Sequence, residues 1–147
     1  MQRIENYVTL EFLSRSSNES FARVAAAGFA AQLDPTLDEL GDIKTAVSEA
    51  VTNAIVHGYP DQLGKIVVKL KLLENNTLEI TVRDWGKGIE DIQQARQPLF
   101  TTGGEERSGM GFTIMESFMD KLTVRSMQGK GTTVQMRKRI MPRLVTR

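Results

Sequence analysis

Ser48-Glu49-Ala50-Val51-Thr52-Asn53-Ala54-Ile55-Val56-His57-Gly58 decides how the rest of the chain is read. With the residues before it, this stretch places Leu40, Ile43, Val47, Ala50 and Ala54 at steps of three and four. That period makes one buried helical face. Glu49 and Asn53 stand four apart, so they stack one turn from each other on a second face. Gly58 marks the helix stop. A carboxylate can take a proton, and an amide oxygen suits a hard cation such as Mg2+. Taken alone, the pair reads as a solvated polar stripe; what gives it chemistry lies downstream.

Upstream, Asp34-Pro35 breaks the chain, and Thr36 with Glu39 forms a capping box that starts this helix, which runs to about His57. Before the break, Ser16 with Glu19 reads as another capping box, opening a helix with Phe21, Val24, Ala25, Gly28, Phe29 and Leu33 at helical spacing. Glu19 and Arg23 fall on its other side. Val8, Leu10 and Phe12 alternate with Thr9 and Glu11 as a half-buried strand.

Downstream, a turn-rich loop from Tyr59 to Gly64 leads to a strand in which Ile66, Val68, Leu70 and Leu72 alternate with Val67, Lys69 and Lys71. The turn Glu74-Asn75-Asn76-Thr77 joins it to a hairpin partner with Leu78, Ile80 and Val82 on one face. Asp84 keeps their parity. Either the strand persists and buries this carboxylate on the apolar face, where it needs a partner, or the strand ends first and Asp84 caps a turn. Asp84-Trp85-Gly86-Lys87-Gly88 then lets the backbone turn sharply and pass close to a flat ligand. A short helix covers Ile92 to Arg96, and Pro98 to Met110 is a loop with the composition of a lid. Ser108-Gly109-Met110-Gly111 feeds a helix that buries Phe112, Met115 and Phe118. Such a turn at a helix N-terminus is an anion site, because free N–H groups and the helix dipole point outward. Leu122, Val124 and Ser126 alternate on another strand, and Thr132 to Met136 make the last, with Val134 and Met136 on one face.

The chain has 147 residues, 40% hydrophobic and 25% charged, which fits one domain with a real core. Residues 1–140 form that domain and residues 141–147 a basic tail. The order β, α, α, β, β, short α, lid, α, β, β predicts an α/β two-layer sandwich: a mixed, mostly antiparallel sheet with helices on one face. Net charge is +1, so no general basic field holds nucleic acid. There are no cysteines, no apolar run near the roughly 20 residues that span a bilayer, and no signal-peptide core. These features fit a cytoplasmic protein with no membrane contact. The pattern G-x-x-x-x-G-K-[ST] is missing, so the chain is not a P-loop protein.

Four motifs stand in one order: Glu49…Asn53, Asp84-x-Gly86-x-Gly88, Ser108-Gly109-Met110-Gly111, and Gly131-Thr132-Thr133. This order resembles the Bergerat ATP-binding fold of type II topoisomerases, certain chaperones, mismatch-repair ATPases and histidine kinases. The resemblance is closer to the anti-sigma F factors of spore-forming bacteria. It is carried by Asn18-Glu19-Ser20-Phe21-Ala22-Arg23-Val24, Ala31 to Thr36, Val47 to Asn53 with His57-Gly58-Tyr59, Ala95 to Thr102, and Arg107 to Met115. It covers roughly residues 4–140. The chain departs from the family pattern in a shorter, glycine-rich lid, Gly103-Gly104-Glu105-Glu106, and in Trp85, where the family usually has an acidic residue.

The resemblance implies an ATP-dependent protein-serine kinase that also binds sigma factor F and phosphorylates an anti-anti-sigma factor. Glu49 then resembles the general base and Asn53 the Mg2+ ligand. Asp84 resembles the acceptor for the adenine amino group, with Gly86 and Gly88 beside the base and Thr133 as a second polar contact. Thr101 and Thr102 of the lid and the run Ser108, Gly109, Met110, Gly111 and Phe112 fall on the nucleotide, ATP or ADP. Arg107 is read as a charge near the terminal phosphate. Arg23 is either a solvated charge or, as the resemblance implies, a partner contact. A homodimer is also implied, and the apolar first strand and Ala-rich face of the first helix are compatible with its seam. Two other readings use the same site: a histidine-kinase catalytic domain, and a nucleotide-gated binding module without transfer. The sole histidine, His57, reads as a structural residue at a helix end, and Glu49 argues against a module that only binds, since nucleotide binding does not require a base there.

Overall fold

The computed structural model describes residues 2–96 and 110–142. Five strands, β1 (Ile4–Leu13), β2 (Lys65–Leu73), β3 (Thr77–Asp84), β4 (Lys121–Met127) and β5 (Gly131–Arg139), form one sheet in the order β1-β2-β3-β5-β4. Every pairing is antiparallel, so the expected mixed sheet is wholly antiparallel. The helices are α1 (Ser17–Ala30), α2 (Leu37–Asn53), α3 (Ile92–Ala95) and α4 (Gly111–Phe118). A 3-10 turn, Ala31–Leu33, extends α1.

Alternation along the strands decides which face the helices cover. Ile66, Val68 and Leu70 of β2, Leu78, Ile80 and Val82 of β3, and Val134 and Met136 of β5 are buried on one side. They meet Ile43, Ala46, Val47, Ala50 and Val51 of α2 and Phe112 and Met115 of α4 in a single core. The β2–β3 connection places Asn75 and Asn76 at positive φ, 66° and 58°, the pairing that a tight hairpin turn needs.

Thr36 caps α2 as expected: its hydroxyl accepts the Glu39 N–H at 3.0 Å, and the Glu39 carboxylate accepts the Thr36 N–H at 2.9 Å. The capping box read at Ser16 is corrected. Ser16 is itself helical (φ −59°, ψ −30°) and makes no side-chain cap. Glu19 is drawn elsewhere: its carboxylate accepts from the Ser48 hydroxyl at 2.6 Å and pairs with Arg23 at 3.1 Å. The helix anticipated to His57 ends its regular part at Asn53 and continues as a wider π turn, Ala54–Gly58. Phe118 is corrected too. At 36% exposure it lies outside, and Met119 takes the inward position, because the buried side of α4 follows steps of three and four through Phe112, Met115 and Met119.

The Ala-rich face of α1 is not open to a second molecule. Ala22, Ala26 and Ala30 are fully buried, and such small side chains let α1 lie close on α2. Phe21 and Val24 are the exposed apolar residues of α1, and β1 is an edge strand with Tyr7 exposed. Among the described residues no helix is long and apolar enough to cross a membrane.

Candidate functional site

A cleft of about 1020 Å³ opens between α2, the segment after β3, α4 and the β4–β5 end of the sheet. Asn53, Gly58, Asp84, Gly88, Gly111, Phe112 and Thr132 are among the residues that line it. Its two ends carry different chemistry.

At one end, strand β3 persists through Asp84, which settles the sequence alternatives. Asp84 pairs with Ile66 on one side and Thr132 on the other, and the residue is 5% exposed, its side chain on the helix-covered face. Burial pushes its pKa up, while the N–H groups of Gly86 and Thr132 pull it back. The Gly86 N–H donates to Oδ1 at 2.9 Å. Two glycines make room here. A Cβ on Gly58 would lie 2.9 Å from the Asp84 Cγ, and one on Gly86 would overlap the Gly58 carbonyl oxygen. Gly88 has φ 77°, a conformation glycine takes without strain. A carboxylate held like this can accept further hydrogen bonds from a flat donor entering the cleft.

Thr133 is not part of this end. It pairs with Arg83 and Arg125, so alternation sends it to the face opposite Asp84. Thr132 is the threonine that faces the cleft. Its hydroxyl lies 2.8 Å from the Ser126 hydroxyl, which also accepts the Ile89 N–H at 2.7 Å. Ser126 thereby ties the segment after Gly88 to β4. The sequence already carried this signal: once Val134 and Met136 share the inner face, Thr132 shares it too.

At the other end, Glu49 and Asn53 lie one turn apart on α2, as their spacing requires. A Cβ on Gly111 would lie 3.0 Å from Asn53 Nδ2, 3.2 Å from its Oδ1 and 3.3 Å from Glu49 Oε2. The glycine therefore lets the N-terminus of α4, with its outward N–H groups, sit directly against the carboxylate and the amide. Met110 immediately precedes that helix, and its carbonyl accepts the Ile114 N–H at 2.8 Å. The donors here are hard oxygens, which suits Mg2+. Among the described residues no group of three or more His, Cys, Asp or Glu could cage a metal ion. The Asn53 amide oxygen fits an Mg2+ that keeps waters and takes its other ligands from phosphates, which leaves the Glu49 carboxylate for proton transfer. Thr101, Thr102, Arg107, Ser108 and Gly109 lie outside the described residues.

Arg23 sits beside this end rather than in it. Its guanidinium pairs with Glu19 and lies 3.4 Å from the hydroxyl of Ser48, the neighbour of Glu49. His57 lies in the π turn and lines the cleft. Trp85 is 39% exposed on the open face of the sheet, with Lys65 and Arg83 about 4.4 and 4.5 Å from its ring centre.

Residues 14–138 match the family model of the histidine kinase-like ATPase domain. The anti-sigma F factor of Thermoanaerobacter sp. (strain X514) is 60% identical over 136 residues, 92% of this chain and 94% of that one. The anti-sigma F factor of Geobacillus kaustophilus (strain HTA426) is 59% identical over 138 residues, 93% of this chain and 94% of that one. Among solved structures, the RsbU and RsbW domains of a Mycobacterium tuberculosis protein superpose with a TM-score of 0.68 at 20% identity, over 92% of this chain and 32% of that one. A blue-light activated histidine kinase from Erythrobacter litoralis superposes with a TM-score of 0.59 at 22% identity, over 80% of this chain and 40% of that one. At these identities the two structures show the fold alone.

Proposed function

Because the chain belongs to the anti-sigma F factor family of histidine kinase-like ATPase domains, we propose that it binds sigma factor F and uses ATP to phosphorylate a serine of an anti-anti-sigma factor. The observation that carries the reading is the seat of Gly111 against Glu49 and Asn53, which puts a carboxylate beside a helix N-terminus built for phosphate.

Adenine enters the Asp84 end, where its amino group donates to the carboxylate and the Thr132 hydroxyl lies alongside. The triphosphate runs towards α4, whose first N–H groups take up its charge. Asn53 would hold Mg2+, which would supply positive charge to offset that of the transferred group. Glu49 accepts the proton of the substrate serine as its oxygen forms the new bond to the γ-phosphorus and the bond to ADP breaks. Phosphoryl transfer needs alignment and charge stabilisation more than covalent help, and one well-placed carboxylate on a rigid helix suits that need.

Arg23, on the α1 face beside Ser48, is the proposed contact for the protein partners. The protein acts in the cytoplasm as a homodimer, with the β1 edge and the exposed Phe21 and Val24 as the available apolar surface. It makes no direct contact with nucleic acid.

The test is transfer of label from ATP, with Mg2+, to the anti-anti-sigma factor, followed by identification of the phosphorylated residue. Label on serine that disappears in Glu49→Gln, with ATP still bound, is the expected result. Transfer at the normal rate by Glu49→Gln would remove Glu49 as the base. No transfer by the native chain, with ATP bound, would leave a nucleotide-gated binding module.

A further inference from the structure

One buried hydroxyl beside the cleft has no part in the chemistry above. Tyr59 follows the π turn directly and is 8% exposed. Its phenol donates to the Lys65 carbonyl at 2.7 Å and accepts the Trp85 N–H at 2.7 Å. One side chain thus joins the end of the α2 segment, the first residue of β2 and the first peptide after Asp84. Burial raises the phenol pKa, opposed by the Trp85 N–H, and the nearby Asp84 charge raises it further. The phenol therefore stays protonated, as its donation to Lys65 requires. Space has been cleared for the ring: a Cβ on Gly64 would overlap it.

The Trp85 N–H matters because of what lies on either side. The peptide it belongs to starts at Asp84, and the next N–H, on Gly86, is the one that holds Asp84 Oδ1. A second tie lies one residue on, where the Lys87 N–H donates to the Gly58 carbonyl at 3.0 Å. The direction of the remaining carboxylate lone pairs depends on the backbone from 84 to 86, and Tyr59 fixes that backbone at its midpoint.

We propose that Tyr59 is a positioning residue for base selection: its hydroxyl, clamped between the Lys65 carbonyl and the Trp85 N–H, aims the Asp84 carboxylate at the exocyclic amino group of adenine. The proposal rests on the nucleotide reading of the cleft. Guanine presents a carbonyl oxygen where adenine presents that amino group, so a correctly aimed carboxylate attracts one base and repels the other. A tilted carboxylate loses both effects.

The experiment compares ATP and GTP binding to the full chain and to Tyr59→Phe by calorimetry with Mg2+, together with thermal melting. Without the hydroxyl, the Trp85 N–H must find another acceptor and the 84–85 peptide turns. The expected result is a roughly tenfold weaker ATP affinity, a GTP affinity that rises as the repulsion is lost, and a preference for ATP over GTP reduced by at least about tenfold. A merely structural tyrosine would lower the melting temperature and leave the preference intact; that result overturns the proposal. If Tyr59→Phe does not fold, Gly64→Ala serves instead, since its methyl group displaces the ring while keeping the hydroxyl, and the same loss of preference is expected. A native chain that binds ATP and GTP equally would overturn the adenine assignment of Asp84 itself, and the Tyr59 proposal with it.

Discussion

Thr132 and Thr133 are adjacent, chemically identical and on opposite faces of β5, so one atom exchanged at each position tests the architecture of the cleft. In Thr132→Val a methyl group replaces a hydroxyl that lies 2.8 Å from Ser126 Oγ. Ser126 keeps its contact to the Gly131 carbonyl at 3.1 Å and still accepts the Ile89 N–H, so the β4–β5 end holds. The loss is one neutral hydrogen bond, about 1 kcal/mol of stability, and one polar contact to the bound base, again about 1 kcal/mol. Nucleotide affinity should fall about fivefold to tenfold. The backbone N–H of Thr132 that supports Asp84 is untouched by either substitution. In Thr133→Val a β-branched residue replaces another between Arg83 and Arg125 on the outer face. Stability should move by no more than about 0.5 kcal/mol and ATP affinity not at all. Calorimetric titration of both variants with ATP, beside their thermal melts, decides the matter. If Thr133→Val weakens ATP as much as Thr132→Val, the parity argument is wrong and the cleft is lined by the other face of β5.

The helix caps offer a second contrast: Thr36→Ala should cost about 1 kcal/mol in a urea titration, while Ser16→Ala, which makes no cap bond, should stay within about 0.5 kcal/mol. Asp84 predicts a pH effect. Its pKa is raised by burial, so between the unfolded and folded values the native state binds more protons than the unfolded one. Its contribution to stability is therefore most favourable at low pH and declines as pH rises through that window, and Asp84→Asn should remove this component from the dependence of the urea midpoint on pH.

Much of the fold was legible because period alone dictates it. The alternation in β2, β3 and β5 and the three-and-four spacing of α2 each name a buried face, and these faces close on one another in the core. The hairpin turn was legible because only a few residue types accept positive φ, and Asn75-Asn76 supplies two of them. What failed was local chemistry open to competition. Ser16 and Glu19 have the spacing of a capping box, yet Ser48 and Arg23 from across the fold take the Glu19 carboxylate, and no local rule can foresee a partner that far along the chain. Phe118 failed because an eight-residue helix fits steps of three and three almost as well as three and four, and only packing chooses. Net charge was similarly mute about arrangement. Lys65, Lys69, Lys71, Arg83, Lys121, Arg125, Arg137 and Arg139 all fall on the open face of the sheet, where Glu11 and Glu79 are among the acidic residues. A chain of net charge +1 therefore keeps one strongly positive side.

Within the proposed site, α2 acts as a ruler. Its capped start and buried face fix it on the sheet, so Glu49 and Asn53 cannot move separately from the core residues Val47, Ala50, Val51 and Ala54 between which they project. Five residues beyond Asn53, the π turn delivers Gly58 against the Asp84 carboxylate, and the Gly58 carbonyl holds Lys87. An ordinary helical turn advances 100° per residue; the wider one rotates Gly58 less and turns its backbone towards β3. One rigid element therefore sets the phosphate end and the base end together, and the interval between them is fixed by backbone rather than by side-chain choice. Loops that grip each end independently would need to be ordered by the ligand. Here the ordering cost at both ends is already met by the core, so a ligand of the right length binds to a site that is preformed on its α2 side. Changes in the buried face of α2, such as Val47→Ala, should then disturb both ends at once, whereas changes at Gly111 should be felt at the phosphate end alone.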